Sequence, residues 1–150
     1  MGYRSDVAYG VRVDEVNLSE NATEEEKNLS ADGIFLLMLT EMQQDEVAGK
    51  CFDETYDINK HLTVNKQNRT IAFYQDGLKW YDSFEDVKAH ERLYEIAEEY
   101  GEQYGSETMN NPVSCAFIRI GEETNDVEER GGGYDPWNIM YVSRNIEMNI

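Results

Sequence analysis

A strong helical pattern between residues 83 and 105 constrains the fold more than any other feature of the sequence. Apolar side chains recur there at spacings of three and four residues, which places them on one face of a helix, while glutamates dominate the opposite face. Ser83 and Asp86 match a capping box, so we expect Ser83 to cap the helix, and Gly101 and Gly105 indicate its frayed end. Such a helix must bury its apolar face, which includes Phe84, against a second layer.

Segments of alternating polarity can supply that second layer. Residues 6–13 carry Val7, Tyr9, Val11 and Val13 at every second position, as in a strand with one buried face. Turn sequences then separate three short strand candidates, which predict a meander, and two longer candidates follow near the end of the chain. These five candidates are residues 61–64, 70–74, 78–81, 113–120 and 139–146.

A second helix is predicted earlier in the chain. Thr23 and Glu26 match a capping box, so this helix should begin near Glu24 and run to about Val47, with a break near residues 32–33. The residues at 34–39 could instead form a short buried strand, because periodicity does not separate the two over six residues. Helix is preferred because Leu and Met dominate and β-branched residues are scarce. The expected buried stripe is Ile34, Phe35, Leu37, Met38 and Met42.

Together these elements predict an α+β protein. The order is a strand and a helix, a meander, then a helix and two strands. We expect a single domain over residues 1–150, with an antiparallel sheet and two helices on one face. An elaborated ferredoxin-like split βαβ arrangement is one form that this order allows.

The charge of the chain restricts its partners. The chain has 31 acidic residues and 13 Lys and Arg, which gives a formal net charge of −18. Direct nucleic-acid binding is disfavoured because phosphates are bound by Lys and Arg, and an anionic membrane surface is disfavoured for the same reason. Disordered acidic chains are poor in aromatic residues, whereas this chain has ten Tyr, so we expect a folded domain with an acidic surface.

The expected location is the cytoplasm. The first residues show no secretory signal, and the longest apolar run, residues 34–39, is far shorter than a membrane-spanning helix. Cys51 and Cys115 are too few for a disulfide framework and are expected to be reduced and partly buried.

No sequence motif predicts a catalytic, metal or cofactor site. His90 begins a near match to the H-E-x-x-H zinc motif, but Tyr94 stands where the second His is needed, so His90 is expected to be solvated or partly packed. His61 has no Cys or His at ligand spacing. The glycines at 131–133 lack the strand and helix of a phosphate-binding loop, and we expect a flexible loop there. A small metal-dependent or other enzyme using His61, His90 and carboxylates remains an alternative.

The distribution of acids predicts a protein-interaction surface. Carboxylates three and four residues apart on a helix lie about 5–6 Å apart, which approaches the spacing of backbone phosphates. Such a surface can occupy the nucleic-acid-binding channel of a basic protein. Tyr134 and Trp137, beside a turn, would add an apolar anchor. The acidic candidates are Glu91, Glu95, Glu98, Glu99 and Glu102 on the second helix, and Glu122, Glu123, Asp126, Glu128 and Glu129 in the following loop.

The two ends of the sequence resemble a class of small acidic bacteriophage and prophage proteins. The resemblance lies in residues 1–7 (MGYRSDV), 117–122 (FIRIGE) with 126–129 (DVEE), and 134–136 (YDP) with 141–144 (YVSR). It implies an accessory protein made in a bacterial cytoplasm, and such proteins often inhibit host nucleic-acid enzymes, including restriction and CRISPR machinery. The alternative interpretation is a phage structural or regulatory subunit whose acidity serves only solvation. Homo-oligomerisation stays open.

Overall fold

The computed structural model describes residues 2–133 and residue 136. It contains five strands, three α-helices and two short 3₁₀ helices at Ala48–Phe52 and Asp57–His61. The elements, in chain order, are β1 (Ser5–Val13), α1 (Glu24–Lys27), α2 (Ala31–Gln44), β2 (Leu62–Asn65), β3 (Thr70–Leu78), α3 (Glu85–Gln103), β4 (Val113–Gly121) and β5 (Val127–Gly133). Tyr134, Trp137 and the strand predicted at 139–146 lie outside the described residues.

The five strands form one antiparallel sheet in the order β2-β3-β1-β4-β5. The chain is therefore an α+β protein, as predicted. Strand β3 lies between β1 and β2, so the connection from β1 through the helices to β2 spans one strand. A more specific ferredoxin-like assignment stays a prediction.

One face of the sheet carries the core. Val7, Tyr9, Val11 and Val13 are all buried, as the alternation in β1 predicts. Tyr9 stacks between Phe73 of β3 at 5.2 Å and Phe117 of β4 at 6.2 Å between ring centroids. The apolar faces of α2 and α3 belong to the same cluster of buried residues, so both helices cover this face.

The first helical region is divided differently from the prediction. Thr23 and Glu26 form the expected capping box, but α1 ends after one turn, and the break falls at residues 28–30. Ser30 begins α2 because its hydroxyl accepts a hydrogen bond from the Gly33 amide, so the predicted break at 32–33 was wrong. The helix ends at Gln44 rather than Val47, since the Asp45 carboxylate accepts from the amides of the next turn.

Residues 34–39 are helical, which resolves the alternative in favour of helix. The predicted stripe is right for Ile34, Phe35, Met38 and Met42, which are buried, and wrong for Leu37, whose side chain is 58% exposed. At 100° per residue, Leu37 points away from the face shared by the other four.

The predicted third strand of the meander, at 78–81, is absent from the described residues. Instead β3 continues through Asp76 and Gly77 to Leu78. The Asp76-Gly77 pair does not turn the chain, because Gly77 adopts a φ of 63° at an irregularity in the pairing with β1, and its amide donates to the Asp6 carboxylate.

The start of α3 also differs from the prediction. The helix begins at Glu85, with Phe84 rather than Ser83 at the capping position. A backbone hydrogen bond from the Phe84 amide to the Tyr81 carbonyl already turns the chain there, and the Asp86 carboxylate accepts from the adjacent Val87 amide. Phe84, predicted to lie in the apolar stripe, is 39% exposed.

Residues 127–133 are a strand rather than a flexible loop. Strand β5 pairs with β4 over its whole length, which places Glu128, Glu129 and the three glycines in the sheet. A Cβ atom added to Gly132 would approach the Cys115 sulfur to 3.1 Å, and one added to Gly101 of α3 would approach the Gly133 amide to 3.0 Å. The glycines therefore allow α3 to pack closely against the edge of the sheet.

A chain of hydrogen bonds crosses the core at His90. This side chain is fully buried, so the expectation that it is solvated or partly packed was wrong. Both amide hydrogens of Asn59 are donated, to the carbonyls of Lys50 and Asp53, so its oxygen must accept from Nε2 of His90 at 2.7 Å. Nδ1 of His90 then accepts from the Tyr9 hydroxyl at 2.5 Å. The geometry thus selects a neutral imidazole protonated on Nε2.

Burial lowers the pKa of His90 to about 4. Because the unfolded imidazole titrates near pH 6.5, the unfolded chain binds more protons below that pH, and the fold loses stability as the pH falls from 6.5 toward 4. We expect the wild type to exceed His90→Gln in free energy of unfolding at pH 7.5. That advantage should shrink by about 2 kcal/mol at pH 5, measured by urea unfolding.

His61→Gln is the matched control, since His61 is exposed, and it should keep the pH dependence of the wild type. A direct NMR titration of the imidazole in the folded wild type should find no protonation of His90 above pH 5.5. Titration of His90 near pH 6.5 would contradict the assignment.

Candidate protein-interaction surface

Three arginines organise the acidic side of the molecule. Arg92 on α3 contacts Glu95 at 2.6 Å, Glu99 at 3.2 Å and Asp45 at 3.3 Å. Hydrogen bonds from the amides of Ala48 and Val47, followed by the contact with Arg92, hold the pKa of Asp45 below its usual range. Glu95 and Glu99 thus lie on the side of α3 that faces the end of α2.

Arg130 of β5 joins the sheet edge to α3. Its guanidinium contacts Glu91 at 2.7 Å and Glu128 at 3.1 Å. The same group lies 3.9 Å from the centroid of the Phe117 ring, within cation–π distance. The other oxygen of Glu91 accepts from the indole of Trp80 at 3.3 Å. Glu91 and Glu128, both predicted to bind a partner, are therefore already engaged within the fold.

Arg119 of β4 closes the turn between the last two described strands. It donates to both oxygens of Asp126, at 2.7 and 3.1 Å, and contacts Glu128 at 3.3 Å. The hydroxyl of Tyr3 also donates to Asp126, at 2.5 Å. The hydrogen bonds from Arg119 and then Tyr3 lower the pKa of Asp126 to about 2. This carboxylate thus fastens the start of the chain to the β4–β5 turn.

Glu98 lies where α3 meets β5. Burial raises the pKa of its carboxyl, and Arg130 opposes that shift, while the carboxylates of Glu95, Glu102 and Glu91 add to it. The four glutamates are therefore close enough to repel one another. Because only the charged form takes part, protonation of Glu98 would relieve part of that repulsion.

The remaining predicted residues form the free part of this surface. Glu102, Glu122, Glu123 and Glu129 are exposed, and within residues 2–133 they make no ion pair. Glu122 accepts a hydrogen bond from the Arg4 amide at 2.9 Å. Tyr134 and Trp137, predicted as the apolar anchor, fall outside the part of the chain that is described.

The histidines lie in different surroundings. His90 is in the core, whereas His61 is exposed at the end of the second 3₁₀ helix. Across the described residues, no group of three or more His, Cys, Asp or Glu side chains has a metal-binding arrangement. Cys51 and Cys115 are free and buried, and burial raises the pKa of the Cys115 thiol to about 11. None of the helices in this part of the chain has the length and apolar character to cross a membrane.

An apolar groove beside the acids was not anticipated from the sequence. It has a volume of 760 Å³ and lies between α2 and α3, with Leu36 and Leu37 on one wall and Tyr100 on the other. A usable signal was present, because six consecutive apolar residues at 34–39 span more than one full turn of a helix and cannot all face one core. The rotation therefore indicates that some of them point away from the sheet.

Comparison with known proteins gives no further guide to this surface. No family model, no curated protein and no solved structure matches the chain.

Replacing Arg130 tests whether the ion pairs stabilise the fold. Arg130→Gln leaves Glu91 with no cation in the described part of the chain, leaves Glu128 with Arg119 alone and removes the cation–π contact. We therefore expect a loss of about 1–3 kcal/mol in the free energy of unfolding, measured in urea. Arg4→Gln, at an exposed arginine, is the matched control. Equal stability of the two variants would show that the cluster contributes nothing specific.

Proposed function

We propose that this chain is a non-enzymatic phage accessory protein that binds a basic, nucleic-acid-handling protein of a bacterial host and blocks it. The observation that carries the proposal is the division of the acids just described. Arg92, Arg119 and Arg130 are occupied by carboxylates within the fold, so exposed acids on α3, on β5 and in the β4–β5 turn face solvent without a cation among the described residues.

The scaffold under these acids favours a specific role over solvation alone. The carboxylates are attached to one long helix and one sheet edge, which contact each other directly at Gly101 and Gly133. Glutamates three and four residues apart on the helix have Cβ atoms about 5–6 Å apart, close to the spacing of phosphates along a nucleic acid. A basic channel that binds DNA could therefore engage this surface with the same Lys and Arg.

The resemblance of the termini to small acidic phage proteins gives the proposal its setting. It favours a bacterial cytoplasm as the location and the restriction or CRISPR machinery as the class of target. Direct binding of nucleic acid is not part of the proposal, because a net charge of −18 would repel phosphates.

Reversing the free carboxylates is the sharpest test. Glu102, Glu123 and Glu129 are exposed and have no ion pair in the described part of the chain, so changing all three to Lys should leave the fold intact. We expect the wild type to capture a nucleic-acid-handling protein from bacterial lysate at low salt and to release it at high salt or on addition of duplex DNA. The triple variant should capture none.

A matched control separates this surface from net charge. Reversal of Glu20, Glu25 and Glu54, which are exposed on other segments, changes the charge by the same amount and should leave capture unchanged. Loss of capture in both triple variants would show that overall charge, rather than this surface, is responsible. Capture that is insensitive to salt and to DNA would contradict the proposal.

A further inference from the structure

The groove between α2 and α3 combines features that the acidic surface alone lacks. Leu36 and Leu37 are 49% and 58% exposed, side by side on α2. Thr40 and Glu41 continue this wall for another turn, and Tyr100 of α3 stands opposite. Two adjacent, largely exposed leucines in a concave site are typical of a surface that another chain covers.

The charged groups around the groove are mainly acidic. Glu41 of α2 and Tyr100 of α3 line the same groove, and burial, followed by the charge of Glu41, raises the pKa of both Tyr100 and Tyr104. Arg92 also lines the groove, but it is held by Asp45, Glu95 and Glu99. Acids therefore outnumber the one cation in the lining, and the groove combines apolar side chains on its two walls with a negative charge.

This combination selects the chemistry of the occupant. A second copy of the chain would carry the same net charge of −18, and the repulsion between the two copies disfavours self-association. A segment with apolar residues on one face and Lys or Arg beside them matches both the leucines and the carboxylates. Helices with apolar residues at i, i+3, i+4 and i+7 bind grooves of this kind.

We propose that the α2–α3 groove is the docking site for a basic amphipathic helix of the partner protein, with its apolar face on Leu36 and Leu37. This inference rests on the proposed function, because it assumes a basic protein partner. It gives that partner a defined apolar contact in addition to the charge match. This apolar contact would hold the partner against the side of α3 that carries Glu95 and Glu99.

A designed peptide can test the groove without knowledge of the partner. The probe is a fluorescent Leu/Lys peptide of about four helical turns, with Leu at i, i+3, i+4 and i+7, and its control has the same composition in an order without a helical stripe. We expect the striped peptide to bind at least about tenfold more tightly than the control in fluorescence anisotropy.

Substitutions in the groove should remove that preference. Leu36→Ser with Leu37→Ser should reduce binding of the striped peptide about tenfold while the protein stays folded at the assay temperature, because each side chain is about half exposed. Leu18→Ser, at an exposed leucine on another segment, should leave binding unchanged. Equal binding of the two peptides, or binding that survives the double substitution, would overturn the inference. A dimer in sedimentation that the double substitution dissociates would identify a second copy as the occupant and would also overturn it.

The same variants distinguish the groove from the broader proposal. Capture of a host protein that survives the leucine substitutions but is lost on reversal of Glu102, Glu123 and Glu129 would reject the groove and leave the proposed function intact. Leucine-dependent peptide binding without any captured nucleic-acid-handling protein would support the groove and count against the proposed function.

Discussion

The fold depends on how a few cations are distributed among many carboxylates. Arg119 connects β4 to the β4–β5 turn and, through Asp126, to the first residues of the chain. Arg130 connects β5 to α3 through Glu91, and Arg92 connects α3 to the end of α2 through Asp45. Arg92 and Arg130 bridge elements that are distant in sequence, and Arg119 also donates to the Ser5 hydroxyl of β1 at 3.2 Å, so the cations lie where they oppose the repulsion between packed elements. Exposed surface pairs contribute little to stability, but these three arginine side chains are only 19–30% exposed, and each contacts at least two carboxylates.

That distribution divides the acids into two groups with different roles. Glu91, Asp126 and Glu128 hold the structure together, and a partner would have to compete with an arginine for each of them. Glu102, Glu123 and Glu129 are exposed and have no such competitor within residues 2–133. The sequence alone treats all of these as equivalent, because strand pairing brings Arg119 to Glu128 and the packing of α3 on β5 brings Arg130 to Glu91. A function that depends on charge should therefore map to the second group.

The sequence predicted the elements whose periodicity is long and whose environment is uniform. Alternation in β1 gave its buried face correctly, and the helical pattern of α3 gave its length to within a few residues. Prediction from the sequence was wrong where a tertiary contact overrides a local sequence signal. The glycines of β5 suggest a loop, yet β4 provides a pairing edge, and the absence of side chains lets α3 approach. His90 lies in a charged stretch of the sequence, which suggests exposure. Its burial is possible because two distant residues provide hydrogen-bond partners: the hydroxyl of Tyr9, 81 positions away, and the side-chain amide of Asn59, 31 positions away.

The exposed leucines of α2 follow from the same limits on local reasoning. A run of six apolar residues predicts burial at every position if each is considered alone, yet a helix rotates by 100° per residue and contacts the sheet along one face. Ile34, Phe35, Met38 and Leu39 occupy that face, which leaves Leu36 and Leu37 outside. On most of the surface a charged or polar residue meets water, as the composition requires. Leu36 and Leu37 depart from that pattern and lie beside Arg92 and its acidic neighbours. An apolar contact at this place would add directional specificity to an electrostatic attraction that is otherwise long-ranged and nonspecific.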